Sequence, residues 1–254
     1  EGADRLPDLL PAELRRQHGL CDVRYAYENI HFPADDAALA AARRRLAFEE
    51  LYFLTLGLRL LRARRTTVKG KTCAAVDMTP FFGALPFSLT GAQARAVDDI
   101  LRDMTAERPM NRLVQGDVGS GKTMVAAAGI YFAAKNGLQA ALMAPTEILA
   151  EQHYHTLAPL LEKLGVRCAL LTASTKAKTR RSILEQLAAG EIDLAIGTHA
   201  LLSPDISYQN LGLVVTDEQH RFGVNQRAAL GAKGENPHLL VMSATPIPRT
   251  LALM

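Results

Sequence analysis

The sequence contains no run of the about 18–20 apolar residues that a membrane-spanning helix needs. It also lacks an N-terminal apolar segment of the kind that forms a signal peptide. Hydrophobic residues make up 48% and charged residues 22% of the 254 residues. These values are typical of a soluble protein with one large domain, with or without an appendage, and they predict no membrane partner.

Cysteine is scarce as well. Cys21, Cys73 and Cys168 are odd in number, far apart and without any C-x-x-C spacing. This pattern excludes a disulfide scaffold and indicates reduced thiols in a cytosolic protein. The seven histidines form no group with the cysteines at the spacing of a zinc site, so we expect no structural metal.

Acidic residues are absent between Leu51 and Val76, although six basic residues lie there: Arg59, Arg62, Arg64, Arg65, Lys69 and Lys71. The C-terminus of a helix favours such cations, and so does a patch that contacts phosphates. The formal net charge of +3 is too small to decide between these interpretations.

Glycine is concentrated in the stretch Gly116-Asp-Val-Gly119-Ser120-Gly121-Lys122-Thr123, which fits the phosphate-loop pattern G-x-x-x-x-G-K-[ST]. The glycines allow a turn whose backbone N–H groups, including that of Ser120, cradle a triphosphate. Lys122 supplies a charge for the β and γ oxygens, and the Thr123 hydroxyl a ligand for Mg²⁺. An ordinary glycine-rich turn is the alternative. The flanks favour the phosphate loop, because a short strand precedes it and an Ala-rich helix, Met124 to Ala134, follows it.

Short apolar segments alternate with helical segments from Phe87 onward. Most are continuous apolar runs, as expected for parallel strands that are covered on both faces. We therefore predict an α/β fold of the P-loop NTPase (RecA-like) type, a parallel sheet flanked by helices, with an N-terminal helical extension. The predicted strands are Arg112–Gln115, Leu138–Ala144, Val166–Thr172, Asp193–Gly197, Leu211–Thr216 and Leu239–Ser243.

The first part of the chain has a helical pattern. A long helix is predicted from an N-cap at Asp35 or Asp36 to about Arg65. Its apolar residues recur every seven positions at Leu39, Leu46, Phe53 and Leu60, which predicts one buried face. We predict three parts: a helical extension (1–65), a linker (66–86) and an ATP-binding lobe (87–254).

Polar residues follow the predicted strands, at the edge of a parallel sheet where ligands bind. Asp217 and Glu218 directly follow the predicted strand Leu211–Thr216. At this position an Asp can hold Mg²⁺, and a Glu can orient and deprotonate the attacking water. Two acids in a surface turn are the alternative. Ser243 ends another predicted strand and Thr245 follows it. Their hydroxyls could relay changes at the γ-phosphate to another surface, or they could simply cap a helix.

Three helix starts have two interpretations each. Thr90 and Gln93 fit a capping box, while the Gln93 amide could also contact an adenine edge. Thr146 starts one helix, and Thr198 with His199 starts another. Their hydroxyls and free N–H groups could bind DNA phosphates or could serve only as caps.

The order of these motifs resembles superfamily 2 helicases, and more closely the RecG-type helicases of bacteria. The likeness is carried by Asn111-Arg-Leu-Val-Gln-Gly-Asp-Val-Gly-Ser-Gly-Lys-Thr123, Ala144-Pro-Thr-Glu-Ile-Leu-Ala-Glu-Gln-His153, Asp217-Glu-Gln-His-Arg-Phe-Gly-Val224 and Ala244-Thr-Pro-Ile-Pro-Arg-Thr250. In the N-terminal part, His31-Phe-Pro33 and Ala42-Arg-Arg-Arg-Leu-Ala-Phe-Glu-Glu50 resemble the segment that joins the family's wedge domain to its motor. Ser243 departs from the family pattern, in which we expect Thr.

The resemblance implies a cytoplasmic, nucleoid-associated bacterial DNA helicase, ATP-dependent and monomeric, that remodels branched double-stranded DNA at stalled forks and Holliday junctions. Its cofactors would be ATP and Mg²⁺, with Lys122, Asp217 and Glu218 catalytic and His220, Ser243 and Thr245 coupling nucleotide to DNA. The family's wedge and second motor lobe would lie outside this chain, and the second lobe supplies an arginine worth about 10³–10⁵ in rate in NTPases. We therefore expect very slow hydrolysis by this chain alone.

Two other functions fit parts of the pattern. The motor of a transcription-repair coupling factor shares much of the phosphate loop and Pro246-Ile-Pro-Arg249, but it would normally carry Glu at the position of Gln219. A nucleotide-gated interaction module without enzymatic activity would instead bind ATP tightly and need no second lobe.

Overall fold

The computed structural model describes residues 7–65, 69–203, 205–217 and 236–244, with the backbone alone for 61–65, 199 and 202. These residues fall into two compact units, 7–65 and 69–244. Within the described residues, no helix is both long enough and apolar enough to cross a membrane.

The smaller unit contains α1 (Ala12–His18), α2 (Val23–His31) and α3 (Asp36–Arg65). The Asp35 carboxylate accepts a hydrogen bond from the Ala38 N–H at 2.7 Å, so Asp35 is the N-cap of the long helix that the sequence predicts. Among the described side chains of α3, 36–60, the buried ones are Ala38, Ala42 and Arg45 in the first half of the helix. The predicted seven-residue stripe is wrong as the buried face, because Leu39 and Leu46 are only half-buried and Phe53 and Leu60 are 38% and 59% exposed.

A buried arginine links the segments of the smaller unit. The Arg45 side chain is 0% exposed and donates to Asp8 at 2.7 Å and to Glu49. Asp8 also pairs with Arg15 at 2.9 Å and accepts the Val23 N–H at 3.1 Å. One carboxylate and one guanidinium therefore hold together the chain before α1, helix α2 and helix α3.

Removal of the buried guanidinium is expected to destabilise this unit. Arg45→Met would leave the Asp8 and Glu49 carboxylates without their buried partner, at a cost of about 3–5 kcal/mol in the free energy of unfolding. The control is Arg16→Met, because Arg16 and Glu13 pair with 75% and 78% of their side chains exposed and such pairs contribute about 0–1 kcal/mol. Urea unfolding followed by circular dichroism compares the two, and equal losses would contradict this assignment.

The larger unit is built on a parallel six-stranded sheet in the order β1-β6-β5-β2-β4-β3. All five strand pairs are parallel. The strands lie within two residues of the sequence prediction, and the α/β fold is confirmed. They are β1 (Asn111–Gln115), β2 (Gln139–Met143), β3 (Cys168–Leu171), β4 (Leu194–Gly197), β5 (Leu211–Asp217) and β6 (His238–Ser243).

Helices pack on the sheet because the strands are apolar on both faces. The helices are α4 (Thr79–Ala84), α5 (Gly91–Met104), α6 (Lys122–Lys135), α7 (Glu147–Glu162) and α8 (Ala177–Ala188), with a 3₁₀ turn at His199–Leu202. Every residue from Val125 to Ala133 is buried, so α6 lies in the middle of the core. Leu213 and Val215 of β5 face this core, and Leu211 and Val214 face a second cluster that includes Ile183 and Leu187 of α8.

The predicted linker, 66–86, packs closely over its described part. The Gly70 and Cys73 N–H groups donate to Glu107 O and Met104 O, each at 2.9 Å. Cys73 and Phe81 are buried in the core of the larger unit. Sequence patterning did not reveal this, because the segment pairs irregularly and has no period. The predicted division of the chain into three domains remains a prediction.

A buried histidine joins this segment to the sheet. The His238 side chain accepts the Met110 N–H at Nδ1 (2.9 Å), and its Nε2–H donates to Lys71 O at 2.6 Å. Burial lowers the pKa of His238 from its usual 6.5, although the Lys71 carbonyl and the Asp103 charge act in the opposite direction. The neutral ring is therefore part of the folded structure.

Acid is expected to destabilise the larger unit through His238. In the unfolded chain, His238 takes up a proton near pH 6.5, whereas in the folded chain it does so only at a lower pH. The contribution of the neutral ring to folding stability is therefore fully present above pH 6.5 and is lost as the pH falls below that value. Unfolding free energies from pH 7.5 down to 5 should fall less steeply for His238→Gln than for the unchanged chain. The exposed His155 provides the control, since His155→Gln should keep the original slope. An equal slope in His238→Gln would contradict the assignment.

Candidate nucleotide-binding site

The strand register brings the predicted site residues to one edge of the sheet. Gln115 at the end of β1 aligns with Ser243 of β6, and Asp217 at the end of β5 aligns with Met242. The Gly116 N–H donates to Ser243 O at 3.2 Å. The start of the phosphate loop is thus joined to the end of β6, and β6 alone separates β1 from β5.

The loop that follows β1 depends on its glycines. Gly119 and Gly121 both have φ +79°, a left-handed conformation that side chains disfavour. A Cβ at Gly116 would lie 2.6 Å from Ser120 Oγ. Gly121 is the N-cap of α6, so the first N–H groups of a 14-residue helix point into the loop.

The Lys122 ammonium lies inside this loop. Its Nζ donates to Gly116 O at 2.6 Å and to Asp117 O at 2.7 Å. The side chain therefore folds back over the turn from the first residue of α6 and places a positive charge at the start of that helix. Such a concave arrangement of N–H donors and one cation favours a polyphosphate.

Gln93 ties α5 to the same loop. The predicted capping box is confirmed, since Gln93 Oε1 accepts the Thr90 N–H at 2.8 Å and Thr90 Oγ1 accepts the Gln93 N–H at 3.3 Å. The Gln93 Nε2 donates to Ser120 O at 2.8 Å. The amide oxygen thus has its partner at the start of α5 and the amide nitrogen has its partner in the loop, and adenine contact stays a prediction. The link to Ser120 could not be read from the sequence.

Asp217 is the last residue of β5 and is held by a residue that the sequence analysis passed over. His153 Nε2 of α7 lies 2.7 Å from Asp217 Oδ2, and the two side chains are 11% and 16% exposed. The sequence does contain a signal that His153 needs a polar partner. His153 falls in the stripe of Ala150, Leu157 and Leu161 that faces the core, where a polar residue needs a partner.

The predicted DNA-contacting residues follow neighbouring strands. Thr146 follows β2 and caps α7, its Oγ1 accepting the Leu149 N–H at 3.3 Å. Thr198 follows β4 and precedes the 3₁₀ turn, without a side-chain cap hydrogen bond. The helix starts are confirmed, although the second is only a short 3₁₀ turn. The role of these residues and of His199 in DNA binding stays a prediction.

Several predicted residues lie outside the described part of the chain. These are Glu218, His220 and Thr245. Ser243 is described and is buried at 4% exposure. Next to Asp217, the buried Thr216 Oγ1 has no hydrogen-bond partner among the described residues.

The donor set fits a magnesium ion that arrives with a nucleotide. Thr123 is the second residue of α6, next to Lys122, and Asp217 ends β5, so a hydroxyl and a carboxylate are available at the same edge. Mg²⁺ prefers oxygen ligands and is usually bound by one or two protein groups together with phosphates and waters. Among the described residues, no group of three His, Cys, Asp or Glu side chains is arranged to hold a metal by itself.

Comparison with known proteins gives consistent results. Residues 90–254 match the DEAD/DEAH box helicase family. The chain is similar to the ATP-dependent DNA helicase RecG of Synechocystis sp., with 52% identity over 98% of this chain and 30% of the relative. It is also similar to ATP-dependent DNA helicase RecG of Bacillus subtilis, with 50% identity over 99% of this chain and 37% of the relative. The chain therefore spans 30% and 37% of the length of these relatives.

Solved structures show the same likeness. A structure of RecG bound to a three-way DNA junction aligns with a TM-score of 0.85 and 43% identity, over 99% of this chain and 34% of that chain. The helicase MrfA bound to DNA and AMPPNP aligns with a TM-score of 0.55 and 18% identity, over 73% of this chain and 29% of that chain. The second likeness supports the fold alone.

Replacement of Gly121 is expected to impair the loop without unfolding the unit. In Gly121→Ala, the new Cβ would clash with Gln93 Nε2, and the left-handed backbone would cost about 1–2 kcal/mol. If the loop can bind a nucleotide triphosphate only in this strained conformation, the affinity should fall roughly 10-fold.

The matched control is Gly137→Ala. Gly137 has a similar φ of +69°, nothing lies within 4 Å of its added Cβ, and it precedes the opposite end of β2. Gly121→Ala should lose at least as much stability as Gly137→Ala in thermal unfolding, because of the added clash, but only Gly121→Ala should lose affinity in a fluorescent-nucleotide titration. Equal affinities in the two variants would mean that the loop does not bind the triphosphate.

Proposed function

Because the chain belongs to the DEAD/DEAH box helicase family and is the first motor lobe of a RecG-type member, we propose that it powers an ATP-dependent helicase that remodels branched DNA. The substrates would be stalled forks and Holliday junctions in recombination and repair. One observation carries the proposal: the phosphate loop with Lys122 and the carboxylate of Asp217 end strands separated only by β6. The named relatives support the choice of branched DNA.

The residues of the loop would bind the triphosphate. Its N–H groups and Lys122 would hold the β and γ oxygens, and the glycines leave the space for them. Thr123 and Asp217 would hold Mg²⁺, which supplies charge neutralisation of the phosphates when bound. Glu218 would orient and deprotonate the attacking water, and Gln93 would contact adenine from its position beside Ser120.

Strand β6 would couple the nucleotide to DNA. Its last residue, Ser243, accepts the Gly116 N–H and lies between the phosphate loop and the end of β5. A change in the loop on hydrolysis would therefore act directly on the segment after β6, where Thr245 follows. His220 would act in the same relay after β5.

The DNA would pass the ends of β2 and β4. Thr146 follows β2 and Thr198 follows β4, and these two strands are neighbours in the sheet. Strand β2 is also the neighbour of β5. Their hydroxyls and the N–H groups of the following turns suit phosphates and carry no sequence information. His199 would add a further contact.

The whole protein would need more than this lobe. We propose a wedge domain that precedes the helical extension (1–65) and the segment 66–86, and a second lobe that follows the ATP-binding lobe (87–254) and supplies an arginine to the nucleotide. The lobe alone should then bind ATP but hydrolyse it very slowly.

We also propose a monomeric, cytoplasmic, nucleoid-associated protein, since the relatives are bacterial DNA helicases.

Loss of the Lys122 charge is the direct test of this function. In the full-length protein, Lys122→Ala is expected to lower ATP-driven unwinding of a three-way junction by about 10²–10³-fold, the usual effect of losing one preorganised donor. Lys135→Ala is the control at the other end of α6, where Nζ binds Leu164 O at 2.8 Å. Normal unwinding by Lys122→Ala would show that the site is assigned wrongly.

A further inference from the structure

Helix α7 reaches the nucleotide site through one side chain. His153 Nε2 lies 2.7 Å from Asp217 Oδ2. A carboxylate can only accept, so the Nε2 nitrogen carries the hydrogen and donates it. In the part of the chain that the structure describes, no other hydrogen bond to the Asp217 carboxylate is present.

The contact is well protected from water. The side chains of His153 and Asp217 are only 11% and 16% exposed, and His153 stands between the buried Ala150 and Leu157 on one face of α7. A hydrogen bond to a charged group in such surroundings is stronger than one at the surface. The rotamer of Asp217 is therefore determined by the position of α7.

The same helix face leads to the proposed DNA contact. Thr146 precedes His153 by seven residues, close to two helical turns, so the two lie on one side of α7 about 10 Å apart. A phosphate bound at this helix start would be attracted by the free N–H groups and the helix dipole. Any resulting shift of the rigid helix would move His153 with it.

We propose that His153 is a positioning residue that orients the Asp217 carboxylate for nucleotide-bound Mg²⁺ and links that carboxylate to DNA bound at the start of α7. The proposal rests on the proposed function, because it takes Asp217 as the magnesium residue and Thr146 as a DNA contact. His153 would act through Asp217 and would not itself contact the metal or the nucleotide. Removal of such a supporting hydrogen bond typically weakens metal affinity or activity by 10–100-fold.

The experiment measures magnesium dependence of nucleotide binding, without turnover. A fluorescent, non-hydrolysable ATP analogue is titrated with Mg²⁺ in the full-length protein, with and without a three-way DNA junction. In His153→Ala, we expect the Mg²⁺ concentration for half-maximal enhancement of binding to rise about 10-fold, while affinity for the metal-free analogue stays unchanged. DNA should lower the Mg²⁺ requirement of the unchanged protein and have no such effect on His153→Ala.

Two further variants separate positioning from packing. His153→Gln keeps an N–H donor at a similar reach and should restore both the Mg²⁺ requirement and the DNA effect. His155→Ala, on the same helix, is the matched control, because His155 is exposed and packs edge-on against Tyr154. It should behave as the unchanged protein. Thermal unfolding of all variants shows whether any of them has lost its fold.

Each remaining outcome is decisive. An unchanged Mg²⁺ requirement in His153→Ala, or an equal loss of affinity for the metal-free analogue, would overturn the positioning role while leaving the proposed function intact. The absence of a DNA effect in the unchanged protein would overturn the link through α7. Failure of the unchanged protein to bind the analogue at all would instead refute the proposed function, and this inference with it.

Discussion

The parallel direction of all six strands is the constraint on which the rest of the larger unit depends. Parallel strands must be joined by crossovers, which place helices on the faces and make both faces apolar. They also bring every carboxyl end to one edge. The residues that follow the strands or end them therefore lie along this edge, namely the phosphate loop, Thr146, Thr198, Asp217 and Ser243. The site is thus a consequence of strand direction and order.

The fold could be predicted because its signals are local. Six continuous apolar runs indicate buried strands, and the glycine pattern at 116–123 indicates the loop and the helix after it. The close packing of the segment 69–86, which the sequence analysis assigned to a linker, could not be predicted, because its contacts, such as those of Cys73 and Phe81, are irregular and distant in sequence. The seven-residue stripe of α3 also misled, since periodicity shows that a face exists and not whether a neighbour covers it.

The candidate site was predictable by residue type, but its internal links were not. Gln93 could be recognised as a cap, and the structure adds its hydrogen bond to Ser120, 27 residues away. His153 and Asp217 are 64 residues apart, and nothing in the local pattern connects them. A general rule could still have flagged His153: a polar residue within a buried helical stripe requires a partner, and an acid at a strand end is the obvious one.

The two edges of the sheet differ in how completely their polar groups are paired. At the amino edge, Gln139 donates to Leu187 O and Ile192 O and accepts the Asn210 N–H, and both nitrogens of His238 are bonded. At the carboxyl edge, within the part of the chain that the structure describes, Lys122 donates to two loop carbonyls and Thr216 Oγ1 has no partner. Polar groups whose hydrogen bonds are all made resist displacement, because moving one of them leaves a buried donor or acceptor unpaired. Incompletely paired groups can exchange protein partners for phosphate or metal at little cost. We therefore expect the amino edge to stay fixed, and any conformational change to occur at the edge where the nucleotide and DNA would bind.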